Sequence, residues 1–156
     1  MKPVFVGKTR PMTEADLDAV VAMAEASPTA PHWARAAYEQ ATHSDSTPAR
    51  IALVAETDAG ALAGFAVASL VPPEAELESI VAAAALQRRG VGRALVEALR
   101  DTLRRRGVRV LHLEVRASNE AALSLYAVTG FAESGIRPRY YADPIEDSVL
   151  LSLDLG

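Results

Sequence analysis

The stretch AELESIVAAAALQRRGVGRALVEALRDTLRRRG, residues 75–107, changes its apolar period twice, and the elements on either side are ordered by it. At its start Ala75 and Leu77 share one face of a strand, but the next large apolar pair, Ile80 and Val81, falls one residue out of step. That slip predicts a β-bulge. From Val91 the apolar residues Val91, Leu95, Val96, Leu99 and Leu103 recur at helical spacing up to Gly107, a good C-terminal cap. Between the two patterns lies QRRGVGR, 87–93, with two glycines one residue apart among three arginines. The first amides of a helix have no intrahelical partner and the helix dipole favours negative charge, so a strand–turn–helix junction suits an anion. Gly90 and Gly92 let the backbone approach a bulky ligand, and Arg88, Arg89 and Arg93 add cationic side chains beside it. Phosphate is the natural guest.

Working outward, VFVGKT (4–9) alternates weakly as a strand. TEADLDAVVAMAEAS (13–27) reads as a helix with Thr13 as N-cap and acidic residues in its first turn, ended by Pro28 and Pro31. HWARAAYEQA (32–41) reads as a second helix, and THSDSTPA (42–49) as a polar loop. RIALVAET (50–57) and ALAGFAVASLV (61–71) form a hairpin through the turn DAG, and Pro72-Pro73 stops its second strand. After Gly107 come a strand VRVLHLEV (108–115), a short helix NEAALSLYAVT (119–129) capped by Gly130, and two last strands, FAESGI (131–136) and DSVLLSLDL (147–155). Strands and helices alternate in the middle while hairpins flank them. The expected class is α/β, one domain over residues 1–156 with a mixed sheet and neither linker nor repeat.

With 156 residues, half of them apolar, the chain is long enough for one sizeable core and not for two. No apolar run reaches the ~18 residues of a membrane span, and the opening MKPVFVGKTRP lacks the apolar core and cleavage site of a signal peptide. A soluble, cytoplasmic protein with no membrane partner is expected. The absence of cysteine removes disulfides, thiolate metal sites and a cysteine nucleophile. The net charge of −4 argues against a nucleic-acid partner held by phosphate neutralisation. The three histidines show no ligand spacing, so no metal is expected. Arg104, Arg105 and Arg106 end a helix, where positive charge suits the dipole.

Which phosphate the turn takes is narrowed by elimination. A P-loop needs Gly-Lys-Ser/Thr, and Gly92 is followed by Arg93-Ala94. A dinucleotide fingerprint needs a third glycine where Leu95 stands, although Glu114 could mimic its acidic residue. The bare pattern is equally compatible with a strand turn holding two permissive glycines and solvated arginines.

With its bulged strand the turn resembles the GNAT family of N-acetyltransferases, whose acetyl-CoA loop reads Arg/Gln-x-x-Gly-x-Gly/Ala and matches Gln87, Gly90 and Gly92. Further downstream, LEVRASNEAALSLYAVTGF (113–131) and RPRYYADPIED (137–147) resemble the branch of that family that contains the ribosomal-protein-alanine N-acetyltransferases and their relatives that acetylate protein N-termini. The similarity covers positions 75–154 with specific motifs, and the first seventy residues in layout only. Where the family commonly has an acidic residue and a proline after the bulged strand, this chain has Ala82-Ala83-Ala84-Ala85.

The resemblance implies a mostly antiparallel sheet flanked by helices, with the bulged central strand opening onto the site of acetyl-CoA, the co-substrate. It implies that Arg88, Arg89, Gly90, Val91, Gly92 and Arg93 hold the pyrophosphate, that Ile80, Val81 and Ala82 hold the pantetheine arm, and that Asn119 touches CoA. Asn119 is equally placed to cap the following helix. Glu114, on the face of Val110 and His112 and opposite Leu111, Leu113 and Val115 by alternation, matches the family's base; on periodicity alone it is a solvated carboxylate. Tyr126 matches the family's acid beside the CoA sulfur, against the reading of a core tyrosine. Tyr140 and Tyr141 would wall the peptide site so that it accepts a free N-terminus, and Trp33 belongs either to the core or to that wall. The implied activity is direct acetyl transfer from acetyl-CoA to the α-amine of a protein or peptide, a ribosomal protein among the candidates. The alternatives are a small-molecule amine or lysine as acceptor, or a CoA-binding module without turnover.

Overall fold

The computed structural model describes residues 5–156. The expected first strand begins at Val4, which lies outside those residues; the strand observed, β1, runs Gly7–Pro11. Thr13 opens a 3-10 turn, Glu14–Asp16, that leads into α1, Leu17–Ala26. The Asp16 carboxylate reaches back to accept from the Thr13 amide at 2.8 Å, satisfying a donor that the helix start leaves free. Helix α2, Arg35–Ala41, is shorter than the sequence suggests, because residues 32–34 after Pro31 stay outside the helix and Ala34 is extended.

The hairpin is β2, Ala49–Thr57, and β3, Leu62–Val71. Next come β4, Glu74–Ala82, then α3, Val91–Arg105, and β5, Val110–Arg116. The chain closes with α4, Glu120–Val128, and the long pair β6, Ala132–Ala142, and β7, Ile145–Asp154. All seven strands form one sheet in the order β1-β2-β3-β4-β5-β7-β6. Every pairing is antiparallel except that of β4 with β5, which the α3 crossover makes parallel.

The bulge lies where the period slips. Opposite β3, Val67 pairs with Ser79 and Ala68 with Leu77, so Glu78 is the extra residue. One added residue exchanges the faces of everything beyond it. Ala75, Leu77 and Ile80 therefore pack with α3, whereas Val81 joins the cluster under α1 and α2.

Two apolar layers clasp the first half of the sheet. Leu17, Val20 and Tyr38 from α1 and α2 meet Ala52, Val54, Phe65 and Val67 on one face. On the other, Val91, Leu95, Val96, Leu99 and Leu103 are at most 1% exposed. At ~1.5–3 kcal/mol per fully buried side chain, that stripe anchors α3 to the sheet. No helix among the described residues covers the other face of β5, β7 and β6, so His112 and Glu114 are left half-buried there. None of these helices is long and apolar enough to cross a membrane.

Candidate active site

The β4–β5 ladder is short. Only Glu74, Ala75 and Glu76 pair with Val110, Leu111 and His112, yet β4 continues to Ala82 and β5 to Arg116. Past the bulge the two strands part, and the edges they turn toward each other are left without the ladder bonds a closed sheet would make. Those edges can bond an extended ligand laid between them.

One end of the cleft is the arginine turn. Gly90 has φ +90°, a left-handed conformation that a side chain would strain, and α3 begins at the next residue. The amides of Val91, Gly92 and Arg93 have no acceptor among the described residues; the first α3 amide bonded to backbone is that of Ala94, on Gly90 at 3.0 Å. Gly92 has a second constraint that the sequence reading missed: a Cβ there would stand 2.9 Å from Leu125 Cδ2 of α4. Arg88, Arg89 and Arg93 are exposed, and Arg93 pairs with Glu97 at 3.3 Å. Free amides at a 15-residue helix start, with cations around them, fit a pyrophosphate.

Glu114 projects from the opposite face, as alternation along β5 expects. It lines a cavity of about 400 Å³ with Glu74, Glu76, His112, Ser134, Arg137 and Leu150. Arg137 Nη2 lies 3.3 Å from Glu114 Oε1, and its guanidinium carbon stands 5.5 Å from the Tyr140 ring centre. Tyr140 and Tyr141 meet edge to face at 5.1 Å, and Arg116 lies 4.2 Å over Tyr141. Neither Arg137 nor Glu76 carried a role in the sequence reading. Arg137 belongs to the RPRYY stretch, and the alternation of Glu74 and Glu76 along β4 is the signal for the second.

Tyr126 lies on the α3 side, in the cluster that holds Leu77, Leu113 and Val115. Its ring meets Phe131 at 5.3 Å, and burial pushes its phenol up to about 12. The phenol therefore keeps its proton throughout the neutral range. Asn119 caps α4, its Oδ1 accepting from the Ala122 amide at 3.2 Å. Ile80 and Ala82 are half-buried on β4 and Val81 is buried between them. Trp33 packs on Tyr38 at 5.1 Å, partly buried against the cluster under α1 and α2, and lines a second cavity with Arg50 and Glu78 that is separate from the one around Glu114. His43 converges with Glu14 and Glu39, their donor atoms within 4.8 Å of one another, at a surface site away from the cleft that chain spacing does not reveal.

The arrangement offers an anion cradle and an un-zipped strand pair on one side, and a carboxylate-lined cavity on the other. Two reactants entering from opposite faces would meet between β4 and β5.

The acetyltransferase (GNAT) family model matches residues 17–131. The chain is 46% identical over 102 residues to the ribosomal protein bS18-alanine N-acetyltransferase of Escherichia coli, covering 64% of this chain and 69% of that protein. It is 41% identical over 101 residues to an N-alpha-acetyltransferase of Mycobacterium tuberculosis, covering 62% of each. The crystal structure of the Escherichia coli ribosomal-protein-alanine N-acetyltransferase superposes with a TM-score of 0.82 at 33% identity, over 97% of this chain and 95% of that one.

Proposed function

Because this chain belongs to the acetyltransferase (GNAT) family and is an N-acetyltransferase, we propose that its acceptor is the α-amine of a protein or peptide N-terminus, a ribosomal protein among them. Residues 1–156 act as one N-acetyltransferase domain. The observation that carries this reading is the pairing of a carboxylate cavity around Glu114 with a protonated phenol, Tyr126, on opposite faces of the sheet where β4 and β5 part.

Acetyl-CoA, the family's co-substrate, supplies an acetyl group activated as a thioester and departs as a thiol. The amides of Val91, Gly92 and Arg93, with Arg88 and Arg89, hold its pyrophosphate at Gly90, and the backbone of Ile80, Val81 and Ala82 holds its pantetheine arm. Asn119 both caps α4 and touches the cofactor. Glu114 accepts a proton from the acceptor's ammonium through water, freeing the lone pair that attacks. The nitrogen bonds to the thioester carbonyl carbon as the carbon–sulfur bond breaks; Tyr126 gives its proton to the leaving sulfur, and the second proton lost by the nitrogen restores the phenol. No side chain carries the acetyl group, in keeping with a chain that has no cysteine. Tyr140, against Arg137 of the cavity lining, and Tyr141 beside it restrict the approach so that a chain end enters and a mid-chain segment does not.

Proton equilibria favour the same acceptor. At pH 7 an α-amine with pKa ~7.8 is neutral roughly one time in seven, and a lysine with pKa ~10.4 about once in 2,500, a gap of ~3.5 kcal/mol. A half-exposed glutamate working through water suits the smaller task. The test is a mass-spectrometric screen of peptides with varied first residues, incubated with acetyl-CoA. Acetylation of free N-termini, fastest on small residues such as alanine or serine, is expected; fast turnover of a polyamine or aminoglycoside with none on peptides would replace the acceptor.

A further inference from the structure

Four glutamates, Glu74, Glu76, Glu78 and Glu114, gather where β4 meets β5, and three of them already hold a cation. Glu74 Oε1 meets His112 Nε2 at 3.1 Å, Glu78 Oε1 meets Arg50 Nε at 2.9 Å, and Glu114 meets Arg137 at 3.3 Å. Glu76 alone has no cationic or hydrogen-bonding partner among the described residues, although it lines the same cavity as Glu114. It is the last residue of β4 paired to β5, opposite His112, so its carboxylate stands at the point where the strands begin to part.

We propose that Glu76 is a further acceptor-binding residue, whose unpaired carboxylate receives the ammonium group of the incoming α-amine beside Glu114. The inference rests on the reading of this cavity as the acceptor site. Glu114 reaches the amine only in competition with Arg137, whereas Glu76 has nothing to displace. A charge-assisted bond to Glu76 holds the ammonium at the cleft while Glu114 takes its proton, and division of the two tasks explains a second carboxylate on the neighbouring strand. Desolvation in the cavity, then the Glu78 and Glu114 charges, already hold the Glu76 carboxyl above the ordinary glutamate range, against the opposing effects of His112 and Arg137. A bound cation relieves that repulsion. The acetylated product is neutral at the same nitrogen, so Glu76 releases it.

The experiment compares Glu76→Gln and Glu76→Ala with the parent enzyme, on one peptide offered as free amine and as its acetylated product. Peptide KM is expected to rise about tenfold in both variants, the scale of one partly exposed charge-assisted bond. Turnover number, acetyl-CoA affinity and the inhibition constant of the acetylated peptide should stay within twofold. A KM within twofold of the parent would overturn the proposal, and so would an equal loss of affinity for free and acetylated peptide, which would signal altered shape rather than a lost charge. A parent enzyme inactive on every free peptide would instead defeat the α-amine reading itself.

Discussion

Glu114 and Arg137 reach each other across β7, the strand that lies between theirs, Oε1 to Nη2 at 3.3 Å, with the arginine side chain 55% exposed and the glutamate 26%. An ion pair so open to water adds little to stability, at most about 1 kcal/mol. Glu114→Gln should therefore fold as the parent does. Its turnover should fall about 10²-fold, the lower range for loss of a general base, with acetyl-CoA affinity unchanged. Steady-state kinetics beside a thermal melt separate the two effects, and a full-rate variant would return Glu114 to the solvated surface.

Gly92→Asp tests the anion cradle. A carboxylate in the first turn of α3 complements the helix dipole, and its Cβ meets only the flexible end of Leu125, so the fold should survive. The same charge faces the pyrophosphate and should weaken acetyl-CoA binding about 10²-fold or more, the loss of one or two charge-assisted bonds. Calorimetry with equal affinity in a folded variant would remove the turn from the site.

Tyr126→Phe keeps the edge-to-face contact with Phe131 and loses only the hydroxyl. Turnover should slow at least about tenfold, the low side of what a general acid supplies, with acetyl-CoA affinity retained. The parent phenol, at about 12, lies above the ~10 of an unfolded tyrosine. Its contribution to stability is whole below pH ~10 and is lost as pH rises toward 12. Alkaline denaturation curves of parent and variant should accordingly run parallel to pH ~10, above which the parent alone loses stability from this group.

Arg10 ties β1 to β2 and to the start of α1 through Asp16 at 2.8 Å and Glu56 at 2.9 Å. The guanidinium holds both carboxyls below their usual range. Depressed carboxylates stabilise above the unfolded pKa of ~4 and lose that contribution as pH falls through their folded values. Arg10→Met should lower the melting temperature at pH 7, and the difference should shrink below pH ~4, a trend that melts in a buffer series will follow.

Much of this architecture was legible because the signals were local. A one-residue slip between Leu77 and Ile80 is enough to place a bulge, and the stripe from Val91 to Leu103 to place α3 against the sheet. The last hairpin is longer than the strands expected at 131–136 and 147–155, because β6 runs on to Ala142. In the fold β6 absorbs Pro138 in an irregularity between Arg137, opposite Ser148, and Tyr141, opposite Glu146, with Arg139 at φ +53°. The strand then continues to Ala142 and carries the tyrosines beside the cavity. Arg137 and Glu76 were not legible as site residues because their significance is a matter of which cations and carboxylates pair across β4, β5 and β6. Strand parity says which face a side chain takes and nothing of its partner.

The central claim, acetyl transfer to a free α-amine, is tested most directly by one lysine-containing peptide prepared with its N-terminus free and with it blocked, each incubated with acetyl-CoA while thiol release is followed. Rapid release with the free peptide and little or none with the blocked one is the predicted result. Comparable rates on both would contradict it, leaving the fold and the acetyltransferase family in place and the acceptor to be sought among side-chain amines.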